Sequence, residues 1–292
     1  MRAMRETHTS DRMDHKDMNV DGISLHVEDS GTGAPVLLLH GWPDTSDLWR
    51  YQMPALARAG FRAIAPDLRG FGRSGKPEAT DAYAITEHVG DLLGILDQLG
   101  VQKAHVVGHD WGAAIGWVCA ALAPDRVASL TALAVGHPGA FANAGWKQRG
   151  KSWYMLLFQF PAIAERWLSA RDFAYFRSWS GHPDVNAVVA RLADPAALTA
   201  SLGIYRANLS PASPVKMPCP LPPVTVPVLG VWASEDRALT EVAMTGSADH
   251  VTGPWRYERL DGLGHWMQLE DPEAVNRLLL GFLHQAPAPA RT

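Results

Sequence analysis

The stretch V-V-G-H-D-W-G-A-A at residues 106–114 predicts a sharp turn from a buried strand into a helix. The apolar residues before it are typical of a short strand, and residues 113–123 are apolar helix formers that end before Pro124. Gly108 and Gly112 supply the small side chains that such a turn needs around one raised residue. That residue is Asp110, so the turn presents a carboxylate at the end of the strand.

Asp110 has two interpretations. Aspartate is a favoured N-cap residue, so it could simply begin the helix that starts at Trp111. It could also be a nucleophile, because a carboxylate is ionised at neutral pH and attacks a saturated carbon without a base to remove a proton. The attacked carbon would then carry a leaving group, as in an epoxide or an alkyl halide. Residues elsewhere in the chain decide between these interpretations.

Length and composition favour one large domain that carries an insertion, since the chain has 292 residues and 47% of them are hydrophobic. A net charge of −4 without a long basic run argues against nucleic acids and anionic membranes as partners. Cys119 and Cys219 make neither a disulfide framework nor a metal site. No stretch has the apolar length of a membrane span or the core of a signal peptide, so we expect a soluble cytoplasmic protein.

Strand patterns alternate with helical patterns along most of the chain. Residues 19–27 alternate as an edge strand, and residues 35–39 form a continuous apolar run of the kind that is buried on both faces of a sheet. This alternation predicts a mostly parallel sheet with right-handed crossovers. Further strands are expected at residues 63–65, 105–107, 129–135, 228–232 and 256–260.

The pattern changes at about residue 145, after which tryptophans are scattered among helical stretches that lack strand-like alternation. We therefore expect a helical cap inserted into the sheet domain and covering the carboxyl ends of its strands. The predicted organisation is a loose extension at 1–18, the first part of the core at 19–144, the cap at 145–219, the second part of the core at 220–286 and a tail at 287–292.

Two late loops offer partners for a nucleophile. His265 lies in G-L-G-H-W, residues 262–266, a Gly-flanked loop after the last predicted strand, which favours a catalytic base over a surface histidine. The stretch A-S-E-D-R at residues 233–237 offers Glu235 and Asp236 as the acid. The loop one strand earlier, residues 136–144, contains no carboxylate.

Five motifs together resemble the α/β-hydrolase-fold epoxide hydrolases across residues 19–285. The resemblance implies an α/β-hydrolase fold: a mostly parallel twisted sheet flanked by helices, with an inserted helical cap. It also implies Asp110 as the nucleophile, His265 as the base and, from its spacing after the strand, Asp236 as the acid, with Glu235 as the fallback. The motifs are H-G-W-P at 40–43, D-L-R-G-F-G-R-S at 67–74, G-H-D-W-G at 108–112, S-E-D at 234–236 and G-H-W at 264–266.

In this family the oxyanion loop follows a buried strand, and H-G-W-P takes that place here. The resemblance implies the backbone N–H groups of Trp42 and Trp111 as the oxyanion donors, the second at a helix N-terminus that favours negative charge. Trp42-Pro43 is a candidate cis peptide bond, and His40 more often holds such a loop than reacts. We expect four side chains to border the substrate pocket: His40, Pro43, Trp153 and Trp266.

The resemblance further implies two cap tyrosines whose hydroxyls bind and protonate the epoxide oxygen. Tyr205 begins Y-R-A-N, residues 205–208, which is similar to the motif of the second tyrosine. Tyr154 is followed by F-Q-F-P, residues 158–161, at the spacing of the first. A cap tyrosine can equally be a packing residue, and Trp153 is the alternative if the register shifts by one.

Haloalkane dehalogenases are the main alternative. They share an aspartate nucleophile and often a tryptophan after it, so Trp111 does not separate the two groups. They bind the departing halide with N–H donors, frequently an asparagine where this chain has Trp42, although a cap tryptophan could also donate. Fluoroacetate-type dehalogenases need an arginine where Trp111 stands. A third hypothesis is a non-catalytic protein that binds a small apolar ligand, against which the presence of nucleophile, acid and base in order argues.

The leading hypothesis is therefore an epoxide hydrolase. Asp110 would attack an epoxide carbon while Tyr154 and Tyr205 donate to the oxygen, and His265, oriented by Asp236, would activate the water that hydrolyses the resulting ester to a vicinal diol. This chemistry needs no metal or organic cofactor. The expected partners are a small apolar epoxide and water, and the chain could be a monomer or a homodimer.

Overall fold

An eight-stranded, mostly parallel sheet forms the centre of the computed structural model, which describes residues 13–209 and 220–286. The strands lie in the order β1-β2-β4-β3-β5-β6-β7-β8. The pairs β1–β2 and β2–β4 are antiparallel and all the others are parallel, which confirms the predicted fold class. The strands are β1 (Met13–Val20), β2 (Ile23–Ser30), β3 (Ala34–Leu39), β4 (Phe61–Pro66), β5 (Ala104–His109), β6 (Val127–Leu133), β7 (Val228–Ala233) and β8 (Trp255–Leu260).

Helices flank this sheet and also form a separate run between β6 and β7, here called the helical segment, which comprises α4 to α9. The helices are α1 (Gln52–Arg58), α2 (Ile85–Gln98), α3 (Trp111–Leu122), α4 (Pro138–Ala142), α5 (Gly145–Lys151), α6 (Trp153–Leu157), α7 (Ile163–Ser180), α8 (Val185–Leu192), α9 (Pro195–Leu209), α10 (Glu241–Thr245), α11 (Met267–Glu270) and α12 (Pro272–Leu283). Helix α7 is broken by non-helical backbone at residues 170–173.

Two apolar cores lie on opposite faces of the sheet. Along β3, Leu37 and Leu39 belong to one core and Val36 and Leu38 to the other. Because alternate residues of a strand point to opposite faces, a strand covered on both sides must be apolar throughout. This is the physical reason for the continuous apolar run that marked β3 in the sequence.

The first strand differs from the prediction. Residues 19–27 were expected to form one edge strand, but the chain turns at Asp21 and Gly22, which both have positive φ (48° and 86°). A two-residue Asp-Gly loop with this backbone joins antiparallel strands, so β1 and β2 form a hairpin. Residues 13–18 therefore belong to the sheet and not to a loose extension. Most side chains of β1 are exposed, so its charged sequence, MDHKDMNV, lacks the apolar pattern from which a strand is predicted.

Some predictions fall outside the described residues. They concern the extension at 1–12, the end of the cap and Cys219 within 210–219, and the tail at 287–292. Within the described residues, no single helix combines the length and apolarity needed to cross a membrane; α8 and α9 satisfy both criteria only together, across a bend of 102°.

A buried ion pair anchors α2 to the loop after β4. The guanidinium of Arg69 donates to both carboxylate oxygens of Asp91, each at 2.6 Å, and to the carbonyl oxygen of Ala82 at 2.7 Å. Burial raises the pKa of Asp91 even though Arg69 opposes this effect. Burial alone would lower the pKa of Arg69, but its interactions with Asp91 and Glu87 outweigh this effect and raise it as well. The pair matters mainly because neither charge can be left alone in a buried position.

Asp91→Ala should lower the free energy of unfolding by about 3–5 kcal/mol, because it leaves the guanidinium of Arg69 buried without its carboxylate. Asp97→Ala is the matched control: it removes an exposed carboxylate from the same helix, also 2.6 Å from an arginine, and should cost no more than about 1 kcal/mol. Urea unfolding of both variants measures the difference. Equal losses would show that burial of the Arg69–Asp91 pair does not set its contribution.

Candidate active site

Asp110 stands on a strained turn between β5 and α3. Its backbone has φ 52° and ψ −121°, a conformation that L-residues rarely adopt. The flanking glycines are required by space: a Cβ at Gly108 would lie 2.3 Å from the carbonyl oxygen of Gly112, and one at Gly112 would lie 2.1 Å from that of Leu39. The Asp110 side chain makes no capping hydrogen bond to α3. The N-cap interpretation of this carboxylate therefore does not describe the structure.

The carboxylate of Asp110 is bound from the loop after β3. The backbone N–H of Trp42 donates to Oδ1 at 2.9 Å, and Trp42-Pro43 is a cis peptide bond, as expected from the sequence. Gly41 allows this close approach, since a Cβ there would lie 2.4 Å from Oδ1. Of the two predicted backbone donors, Trp42 donates to the carboxylate, whereas the Trp111 N–H makes no hydrogen bond to it in the described residues.

His265 lies between two carboxylates. Its Nδ1 is 2.8 Å from Oδ2 of Asp236, and its Nε2 is 3.7 Å from Oδ2 of Asp110. Burial alone would lower the pKa of His265, but the charges of Asp236 and Asp110 outweigh this effect and raise it above its ordinary value. Of the two acids offered by the sequence, the structure brings Asp236 to His265, while Glu235 is exposed.

Asp236 is held in place by its own loop. Burial alone would raise its pKa, but His265 and the backbone N–H groups of Leu239 and Ala238 outweigh that effect and keep the pKa below its ordinary value. Both N–H groups donate to Oδ1, at 2.8 and 2.7 Å, which leaves Oδ2 for the histidine. Asp236 is therefore a fixed anion whose geometry sets the orientation of the imidazole.

Tyr154 and Tyr205 lie opposite these charges. Both side chains are buried, and their ring centroids are 6.2 Å apart. Burial raises both pKa values well above the ordinary tyrosine value, and the negative charge of Asp110 raises them further. Both phenols therefore remain protonated at neutral pH.

The Y-R-A-N motif fixes α9 at two points. Arg206 Nε donates to the carbonyl oxygen of Phe158 at 3.0 Å, and Arg206 Nη2 lies 2.9 Å from Glu165 Oε1. Asn208 accepts from the backbone N–H of Ile85 at 2.8 Å, at the start of α2. Tyr205 is consequently held between the rest of the helical segment and the sheet domain.

These side chains line one small cavity of about 30 Å³. Its walls are mostly apolar and half of its lining residues are aromatic, which favours an apolar ligand, and the carboxylate of Asp110 and the imidazole of His265 supply polar groups. Arg237 and Ser180 add polar atoms to the lining. The aromatic lining residues are Trp42, Tyr154, Trp179, Tyr205 and Trp266.

Three residues expected to border the pocket do not line this cavity: His40, Pro43 and Trp153. His40 is buried beneath the loop, where Nδ1 donates to the carbonyl oxygen of Gly41 and Nε2 accepts from the N–H of Leu68, both at 2.9 Å. Trp153 is 40% exposed and packs against Trp167 on the outer side of the helical segment. His40 and Trp153 thus lie next to site residues in the sequence but point away from the cavity. Of the adjacent pair Trp153 and Tyr154, it is Tyr154 that faces the cavity.

A buried aspartate that the sequence analysis did not single out joins three parts of the site. Asp44 directly follows H-G-W-P, and its Oδ2 accepts from the indole N–H of Trp266 at 2.9 Å. Its Oδ1 lies 3.0 Å from Nε2 of His182, in the turn between α7 and α8. Burial alone would raise the pKa of Asp44, but His182 and Trp266 outweigh it and lower the pKa far below its ordinary value.

A glutamine of the helical segment braces the loop that carries Asp236. The side chain of Gln148 donates to the carbonyl oxygen of Ala238 at 2.9 Å and accepts from the backbone N–H of Thr240 at 2.8 Å. Lys151 donates to the backbone carbonyl of Asp236. The sequence carries only a weak signal for this role, because a polar residue in a helix is usually exposed and the partners lie some 90 positions later.

Known proteins share both the sequence and the fold of this chain. A family model for the alpha/beta hydrolase fold matches residues 34–272. Epoxide hydrolase A of Mycobacterium tuberculosis (strain ATCC 25618 / H37Rv) is 34% identical, over 91% of this chain and 96% of that protein. An epoxide hydrolase of Caballeronia sordidicola is 32% identical, over 93% of this chain and 94% of that protein.

A solved epoxide hydrolase structure also matches the fold of this chain. The crystal structure of epoxide hydrolase A from Mycobacterium thermoresistibile matches with a TM-score of 0.77 at 28% identity, covering 95% of this chain and 100% of that chain. The family match spans most of the sheet domain and the helical segment, and the relatives match over nearly their whole length. The chain therefore belongs to the α/β-hydrolase-fold epoxide hydrolase family.

Proposed function

We propose that the protein opens an epoxide to a vicinal diol through a covalent ester on Asp110. The observation that carries this proposal is one cavity lined by the Asp110 carboxylate, a carboxylate-bound histidine and two protonated tyrosines. Proteins that match more than nine-tenths of this chain are named epoxide hydrolases, which supports the same reaction. The substrate is a small apolar epoxide, because most of the cavity wall is apolar.

In the first step, Oδ2 of Asp110 attacks an epoxide carbon. Oδ1 is bound by the Trp42 N–H, so Oδ2 is the oxygen free to form the new C–O bond. The epoxide C–O bond breaks, and its oxygen takes a proton from Tyr154 or Tyr205. A donor is needed because an alkoxide is a poor leaving group, and general acid catalysis of this kind contributes roughly 10²–10⁴-fold in rate.

The second step depends on a change in the pKa of His265. While Asp110 is an anion, it is one of the charges that raise this pKa, and it favours the imidazolium. Esterification removes that charge, so the pKa falls and the imidazole becomes available as a base. It then takes a proton from the water that attacks the ester carbonyl. The proton that His265 loses on esterification restores the tyrosine. Of the two protons of the attacking water, one goes to the departing alkoxide and the other returns His265 to the imidazolium.

Two of the three tryptophans that line the cavity have indole N–H groups with partners in the protein, which counts against haloalkane dehalogenation. A dehalogenase needs free N–H donors to bind the departing halide. Here the indole N–H of Trp42 donates to Ser201 Oγ at 3.2 Å, and that of Trp266 donates to Asp44. Both donors are therefore already engaged within the protein.

His265→Ala should trap the ester, since alkylation does not need the imidazole as a base but hydrolysis does. Intact-protein mass spectrometry after exposure to styrene oxide should show one added substrate mass. The double variant His265→Ala/Asp110→Ala should show none. An adduct that survives in the double variant, or no adduct in the single variant, contradicts the ester on Asp110.

The double variant Tyr154→Phe/Tyr205→Phe should slow the alkylation step by roughly 10²–10⁴-fold, because no phenol remains to protonate the epoxide oxygen. Ester hydrolysis should change far less. Stopped-flow single-turnover measurements separate the two rates. Tyr175→Phe, which removes a hydroxyl from a tyrosine that is 42% exposed and outside the cavity, is the matched control and should leave both rates unchanged.

Asp110→Asn should lower the pKa of His265 relative to the wild-type protein, because it removes one of the two charges that raise it. The amide also imitates the loss of charge on esterification. Nitrogen NMR of the imidazole rings across a pH titration measures the shift, with the buried His40 as an internal reference. An unchanged pKa would mean that esterification cannot convert His265 into a base.

A further inference from the structure

A cluster of titratable side chains lies on the β1–β2 hairpin, at the edge of the sheet opposite β8. The antiparallel register places His15 across from Glu28 and Asp17 across from His26. Because alternate residues of a strand share a face, all four side chains belong to one face of the hairpin. The reaction proposed above uses none of them.

Three of these side chains are arranged as metal ligands are. One ring nitrogen of each histidine and one carboxylate oxygen of Glu28 all lie within 4.8 Å of one another. Within that set, His15 Nδ1 and Glu28 Oε1 are 3.8 Å apart, and the two imidazole rings stack with centroids 5.6 Å apart. No other group of three His, Cys, Asp or Glu side chains in residues 13–209 and 220–286 meets this criterion.

Asp17, the fourth residue, orients His26 so that one ring nitrogen is available to a metal ion. Asp17 Oδ1 lies 2.9 Å from His26 Nδ1, so Nδ1 carries the proton and Nε2 keeps its lone pair. Metal-binding histidines usually have this arrangement, in which a carboxylate on one ring nitrogen orients the ring and makes the other nitrogen more basic. His26 is buried, and its Nε2 has no hydrogen-bond partner among the described residues. A buried polar atom of this kind costs free energy unless it is bound.

The ligand set selects the ion. Two imidazoles and one carboxylate suit Zn²⁺, whose bonds of about 2.0–2.2 Å place tetrahedral ligands roughly 3.3–3.5 Å apart. The side chains must therefore approach by about an ångström or more. The side chain of His15 is 49% exposed and can make this movement. Arg73, whose guanidinium is 3.6 Å from Glu28 Oε1, is 61% exposed and can turn into solvent.

We propose that His15, His26 and Glu28 form a zinc site, with Asp17 orienting His26 and water completing the coordination. The ion would join the edge strand β1 to β2 through ligands from both strands. It would act on the stability of the hairpin and not on catalysis, because β1 is four strands from β5 in the sheet order.

The test is a titration of the untagged, metal-stripped full chain with ZnCl₂ by isothermal calorimetry. Wild type should bind one equivalent, and zinc should raise its melting temperature. His15→Ala removes an exposed ligand and Glu28→Gln neutralises a buried one, and each should weaken binding by roughly 10–100-fold or more. Asp17→Asn should keep the stoichiometry and weaken binding by a smaller factor. The turnover of styrene oxide should be the same in His15→Ala as in wild type.

His250→Ala is the matched control. The ring of His250 stacks on that of His137, with the two ring centroids 4.1 Å apart, so this variant also removes one histidine of a stacked pair. It should bind zinc as wild type does. Cobalt(II) provides a second probe, because the visible bands of a four-coordinate Co²⁺ site should appear in wild type and be lost in His15→Ala. Absence of saturable binding in wild type, or binding that His15→Ala and Glu28→Gln both leave unchanged, overturns the proposal.

Discussion

The rest of the site is built around the buried carboxylate of Asp110. The carboxylate of Asp110 is only 7% exposed, so it must be stabilised by groups that the fold holds in place. One backbone N–H from the loop after β3 binds one of its oxygens, and a histidine that is hydrogen-bonded to Asp236 faces the other. The glycines around the turn, the cis peptide bond and the loops after β7 and β8 all serve this arrangement. A carboxylate left partly desolvated in this way is also a better nucleophile than one in water.

The elements nearest the chemistry could be predicted because steric and charge requirements leave few residue choices. Only glycine fits beside the elbow, so Gly108 and Gly112 revealed Asp110, and a buried parallel strand must be apolar throughout, which revealed β3. Strand β1 could not be predicted, because an exposed strand at the sheet edge has no such constraint. His40 and Trp153 were misplaced since adjacency in sequence does not fix which way a side chain points.

Long-range polar contacts were out of reach for a different reason. Asp44 meets His182 across 138 positions, and Gln148 meets Thr240 across 92. No local pattern encodes such a pair, since each partner alone resembles an ordinary loop or helix residue. These contacts fix the helical segment to the loops of Trp42, Asp236 and His265, so the phenols and the carboxylates are held in one frame. Pre-organisation of this kind is what lets donors act without rearrangement during the reaction.

The charged groups of the site all come from loops of the sheet domain, whereas much of the cavity wall comes from the helical segment. The residues that we propose carry out the reaction are therefore largely different from those that shape the cavity. Substitutions at Trp179 or Ser180 alter the contour of the cavity without touching the hydrogen bond between Asp236 and His265. Substitutions in the helical segment can therefore change which molecules fit the cavity, while the charged residues in the loops of the sheet domain stay the same. An architecture of this kind is well suited to diversification by point mutation.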